Sequence, residues 1–145
     1  MFILFFILGS MMSLAPAREH IELATIVARV VLDEPPLFRG DDSRQRTAAL
    51  VTAIAFRESS FRHGVKSKTN DHCEMQINNR PDLADDTEKC IRVAMTMLRE
   101  SMRMCPNHPI SFYAEGPGGC ESTRAQRISR DRMLLAKRLV DAAAR

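Results

Sequence analysis

Four runs of apolar residues at helical spacing, separated by proline and glycine clusters, confine this chain to a mainly α fold. From Glu19 to Asp33, Leu23, Val27, Val30 and Val31 recur at that spacing until Pro35-Pro36 forbids continuation. A loop from Leu37 to Arg44 leads into a second run, about Gln45 to Arg62, closed by Gly64. In the third, Asp85 stands three residues before Glu88 as a cap and capping-box partner. Ile91, Ala94, Met95, Leu98 and Met102 then share one face as far as Cys105-Pro106. After a turn-rich loop holding Pro106, Pro109, Gly116, Pro117, Gly118 and Gly119, Ser122 caps a last helix carrying Ile128, Leu135 and Leu139. Between Val65 and Ala84 no period is sustained, and Asn70-Asp71, Asn78-Asn79 and Pro81 mark an irregular segment or a short hairpin. The methionines fall mostly at core spacing, where they fill helix interfaces. A chain of 145 residues, 45% of them apolar, has room for one ordinary core, and no break in composition divides it.

Ahead of these runs, Met1 to Leu14 is nearly all apolar and carries no charged side chain, and the small residues Ala15-Pro16-Ala17 precede the first charge at Arg18. This pattern reads as a signal peptide over residues 1–17, cut after Ala17, with the domain proper over residues 18–145. No basic side chain precedes the apolar run, so an uncleaved anchor is the other reading. The run is short for a membrane span and Gly9-Ser10 interrupts it.

Export, to a periplasm or beyond, accounts for Cys73, Cys90, Cys105 and Cys120, because oxidising compartments permit disulfides. Three pairings are open. Cys73–Cys90 with Cys105–Cys120 is favoured because each closes a short segment, at roughly 3 kcal/mol per unstrained bridge. A metal site is the rival, since His72 adjoins Cys73 and Cys105 lies three residues before His108, but no Cys-x-x-Cys pair supports it and no metal or cofactor is expected. The formal charge of +3 suits an anionic cell-wall polymer without demanding one. No basic run with interleaved aromatics points to nucleic acid.

One carboxylate is out of place in this pattern. Projecting the second run at about 100° per residue sets Leu50 at 0° and Ile54 near 40°, with Glu58 at about 80°, inside the apolar arc. Desolvation there penalises charge and favours the protonated form that a general acid needs. The plain alternative is an ion pair with Arg62 at i+4, worth roughly 0.2 to 0.5 kcal/mol.

Three short segments then bear a resemblance. Arg57-Glu58-Ser59-Ser60-Phe61 resembles the Glu-Ser-x-Phe signature of soluble-type bacterial lytic transglycosylases, relatives of goose-type lysozymes. Cys73-Glu74-Met75-Gln76-Ile77-Asn78 resembles that family's Gly-Leu-Met-Gln-Ile-Asn segment, and Phe112-Tyr113-Ala114-Glu115-Gly116-Pro117 its Ala-Tyr-Asn-Ala-Gly-Pro segment. The three stand in the family's order and span Arg57 to about Leu139.

The resemblance implies a lysozyme-like, mainly helical domain, acting as a monomer without cofactor on peptidoglycan glycan strands. Glu58 would protonate the departing glycosidic oxygen. As a carboxylate it would then take the proton from the C6 hydroxyl of the muramoyl unit, which attacks its own C1 and leaves a 1,6-anhydro end. Ser60, Met75, Gln76, Asn78, Tyr113 and Gly116 would line the substrate cleft. Gln76 offers an amide that both donates and accepts, Tyr113 a ring with a hydroxyl, and Gly116 a tight turn. The plain reading of Gln76 and Tyr113 is hydrogen bonding within the fold.

Cys73-Glu74 replaces the family's Gly-Leu, and Ala114-Glu115 its Asn-Ala, each adding a carboxylate. Glu74, Glu115, Asp71 and Asp82 thereby keep a lysozyme-type hydrolase open, since a hydrolase needs a second carboxylate roughly 5 to 9.5 Å from the first. A wall-binding protein that does no chemistry is the third reading. A secretion, conjugation or phage lysis apparatus is the setting that family-level analogy suggests.

Overall fold

Every residue from Thr47 to Ala55 is buried, so the helix that carries them is walled in on all sides rather than on one stripe. The computed structural model describes residues 2–145 and surrounds this helix, α3 (Ser43–Ser59), with α1 (Phe2–Leu14), α2 (Ile21–Asp33) and α6 (Thr123–Ala143). Ala48, Ala49, Ala53 and Ala55 keep α3 slim enough for its neighbours to close around it. A two-stranded hairpin follows, β1 (Asp71–His72) paired antiparallel with β2 (Ile77–Asn78), Asp71 opposite Asn78 and His72 opposite Ile77. A 3-10 turn over Pro81–Leu83 leads to α4 (Thr87–Met104) and the short α5 (Ser111–Glu115).

The helices carry their own fastenings. Arg44 at the start of α3 donates to the carbonyls of Val31 and Glu34, joining the end of α2 to α3 where unsatisfied carbonyls favour a cation. Across α2 and α4, Arg92 reaches Asp33 at 2.9 Å and Glu34 at 3.3 Å, and Arg29 meets Glu88 at 2.8 Å. Cys73–Cys90 ties the hairpin to α4, and Cys105–Cys120 closes the segment containing α5, the pairing favoured from the sequence.

The mainly helical class and the short hairpin agree with the sequence, and Ser122 caps α6 by accepting from the amide of Ala125. Three details differ. The cap of α4 is Asp86, which accepts from the amide of Lys89, so Glu88 falls one position early for a capping box and faces Arg29 and Arg92 instead. Helix α3 stops at Ser59, because Ser60 and Phe61 both turn left-handed, with φ of 53° and 61°. The turn-rich segment before Ser122 contains α5, which lacks the length for a periodic signal.

Met1 lies outside the described residues, but the rest of the apolar run forms α1, whose Ile7 and Met11 are fully buried beside α3 and α2. Ala15-Pro16-Ala17 links it to α2, and the buried ring of His20 bonds the Ala15 carbonyl at 2.7 Å. If α1 belongs to the folded domain, Ile7→Ala lowers the free energy of unfolding of the full chain by about 2 to 4 kcal/mol, measured by urea titration.

Candidate active site

Helix α3 leaves the core in its last turn, and Glu58 is the first carboxylate beyond the walled-in stretch. Its side chain is 27% exposed, and Oε1 accepts from Nη2 of Arg132 on α6 at 3.0 Å. Arg132 also donates to Asp131 at 2.6 Å, and Asp131 accepts from Arg57 at 2.9 Å, so four charges alternate across the α3–α6 contact. Arg62 is not the partner: the left-handed residues after Ser59 carry it off the helical screw, and its Nε bonds the Ser59 carbonyl instead.

Tyr113 on α5 is tied to the hairpin. Its hydroxyl donates to the carbonyl of Met75 at 2.9 Å, across 38 residues of sequence. Burial first, and the negative charge of Glu58 second, hold that hydroxyl protonated far above the usual range for tyrosine, against an opposing pull from Arg132. The phenol is therefore a fixed donor lying within the field of Glu58.

A groove of about 570 Å³ opens beside Tyr113, between the hairpin and α5. Gln76, Asn78, Tyr113 and Gly116 line it, together with Thr69, Asp71, Phe112, Glu115 and Arg124. Glu58 is not among its lining residues. Both amide hydrogens of Gln76 are engaged, by the carbonyls of Val65 at 3.0 Å and Cys73 at 2.8 Å. Asn78 likewise donates to the carbonyl of Thr69 at 2.7 Å and to Asp71 at 2.9 Å. Their donors thus shape the groove wall, and the acceptor oxygens are the parts of these amides left to meet a ligand. Gly116 ends α5 with φ of 68°, a conformation that favours glycine.

Two expected residues stand elsewhere. The Met75 side chain is fully buried, so it contributes its carbonyl and not a surface. Ser60 is the left-handed residue capping α3 and lies outside the groove lining.

The extra carboxylates also separate. Burial works against the charge on Asp71, but hydrogen bonds from Ser67, Thr69 and Asn78 outweigh it and hold the acid below its ordinary range. Asp71 and Glu115 line the groove, Glu115 paired to Arg124 at 3.0 Å. Asp82 is bound by Arg80 and Lys89. Glu74 is buried, taking His63 at 2.9 Å and Thr87 at 2.8 Å on Oε1, while its buried Oε2 has no partner. Cys73, Glu74 and Cys90 converge closely enough for a metal, but the two sulfurs are bonded to each other and offer no thiolate.

Arg132 escaped the sequence reading, because an arginine within a helix rich in arginine gives no sign that it reaches across to another element. Gly119 did as well: a Cβ there would come within 2.4 Å of the Ser111 carbonyl. Compared with family models, with curated proteins and with solved structures, the chain finds no match.

Two outcomes follow from this geometry. Tyr113→Phe removes the bond to Met75 and lowers stability by about 1 to 3 kcal/mol, read from urea unfolding. The hydrogen bond that His63 donates to the Glu74 carboxylate raises the pKa of His63 above its ordinary 6.5. A raised folded value means the stabilisation is complete below pH 6.5 and is lost as pH climbs through that folded value. Unfolding midpoints therefore fall over that rise in wild type, and the fall is smaller in His63→Gln.

Proposed function

We propose that this chain is a peptidoglycan lytic transglycosylase of lysozyme-like fold, cleaving the β-1,4 linkage after N-acetylmuramic acid and leaving a 1,6-anhydro end. The observation that carries the reading is the bond from Tyr113 to the Met75 carbonyl, with the charge of Glu58 acting on the same ring. Two of the three segments chosen for their resemblance to one family, those of Gln76 and Tyr113, thereby meet at one groove, and the charge of Glu58, from the third, acts on the Tyr113 hydroxyl.

Glu58 is the catalytic acid and then the base. Arg132 occupies Oε1. Among the described residues Oε2 accepts no hydrogen bond, so it is the oxygen that carries the proton to the leaving group. Once that proton has gone, the guanidinium steadies the carboxylate until it takes up the C6 hydroxyl proton. One carboxyl group serves both steps because it ends the cycle protonated again. Tyr113 orients the site as a neutral donor, and Gln76, Asn78 and Gly116 form the wall that sugar rings would contact.

Two disulfides, and no described helix long and apolar enough to cross a membrane, fit a secreted or periplasmic setting. One observation favours the rival binding protein without chemistry: the only carboxylate on the α3 end is already held by a cation. Purified wall sacculi separate the two. Wild type releases soluble fragments, and Glu58→Gln reduces the rate at least 10²-fold with an unchanged circular dichroism spectrum. Sacculi that are bound but never solubilised by wild type, or full activity in Glu58→Gln, remove the enzymatic assignment.

A further inference from the structure

The outer face of α1 is the part of the surface that the fold leaves unexplained. Ile3, Phe6, Ile7 and Met11 point inward and are buried. On the opposite arc Phe2 is 66%, Phe5 61% and Met12 56% exposed, with the open side of Gly9 between them. Single exposed apolar side chains are ordinary, but here neither face of the helix carries a charge from Phe2 to Leu14. A helix apolar all round belongs in apolar surroundings on both sides. The body of the protein supplies them on one side only.

We propose that α1 stays part of the domain and seats it on the surface of an anionic lipid bilayer, with the helix lying in the plane of the headgroups. Spanning is excluded by length: at 1.5 Å per residue α1 covers about 20 Å against a hydrocarbon layer of about 30 Å. Its inner face is also committed to α3 and α2, so only the outer arc can enter lipid.

The neighbouring end of α6 supplies what an in-plane helix needs at its rim. A furrow of about 250 Å³ runs between the two helices, lined by Phe5, Gly9, Leu139 and Ala142. Arg138 is exposed one turn before Ala142 on the same face of α6, and the exposed Arg145 follows it. Aromatic and thioether side chains would enter the acyl boundary while these guanidinium groups meet phosphate. A lipid surface accounts for both the charge-free stripe and the cations beside it. A second copy of the chain, offering the same two arginines across a symmetric contact, would set like charges together.

The inference does not depend on the reaction assigned to Glu58. Its test is co-sedimentation of the full chain with vesicles of phosphatidylglycerol and phosphatidylethanolamine, beside vesicles of phosphatidylcholine alone. The full chain sediments with the anionic vesicles, less so at high salt, and weakly with the neutral ones. Phe2→Ser with Phe5→Ser lowers the affinity about tenfold or more at an unchanged unfolding midpoint, because both side chains are already exposed. Arg138→Glu with Arg145→Glu weakens only the anionic component. A chain that stays in the supernatant overturns the proposal, as does equal binding by the phenylalanine variant. So do a dimer in solution that the phenylalanine variant breaks, and an exported protein whose mass shows it to begin at Arg18.

Discussion

A helix buried on every side can carry a carboxylate only where it leaves the core, and that constraint organises this molecule. Helix α3 is enclosed from Thr47 to Ala55 by α1, α2 and α6, which fixes its axis and so the position of its last turn. Glu58 stands in that turn, and Arg132 on the enclosing α6 takes one of its oxygens. Such a half-buried pair is weak as a source of stability, because two desolvated charges recover little more than they lose. Its consequence is positional: the carboxyl group is held between two packed helices, with Arg132 on one of its oxygens.

The groove beside it is made from the opposite material. Hairpin, turn and α5 are short and irregular, so covalent links and single hydrogen bonds add to the burial of Met75, Ile77 and Leu83 in holding them. Cys73–Cys90 anchors the hairpin to α4, Cys105–Cys120 closes the α5 segment, and Tyr113 joins the two through Met75. Gly119 lets the backbone of that segment approach Ser111 more closely than any side chain would allow. The groove walls are thus stapled in place.

Periodicity revealed α2, α4 and α6 because each presents one apolar face to one core. It served α3 less well, since a helix buried all round has no polar face to set against an apolar one. The local disulfides were legible from spacing, because each closes a segment of fewer than twenty residues. Tertiary partnerships were not. Arg62 is the partner that helical spacing offers Glu58, but the left-handed Ser60 and Phe61 break that spacing and Arg132 arrives from far along the chain. Gln76 and Asn78 were read for amides that could meet sugar, and their donors turn out to be spent on backbone and on Asp71, a division that only the folded hairpin decides.

The proposed reaction uses one carboxyl group twice, without a second carboxylate to activate water, although Asp71 and Glu115 line the groove that holds Tyr113. The mass of the fragments that wild-type protein releases from purified sacculi tests this most directly. Glu58 acting alone gives disaccharide ends lighter by one water than hydrolysed ends, in every fragment. Hydrated reducing ends would contradict it and place one of the groove carboxylates in the reaction.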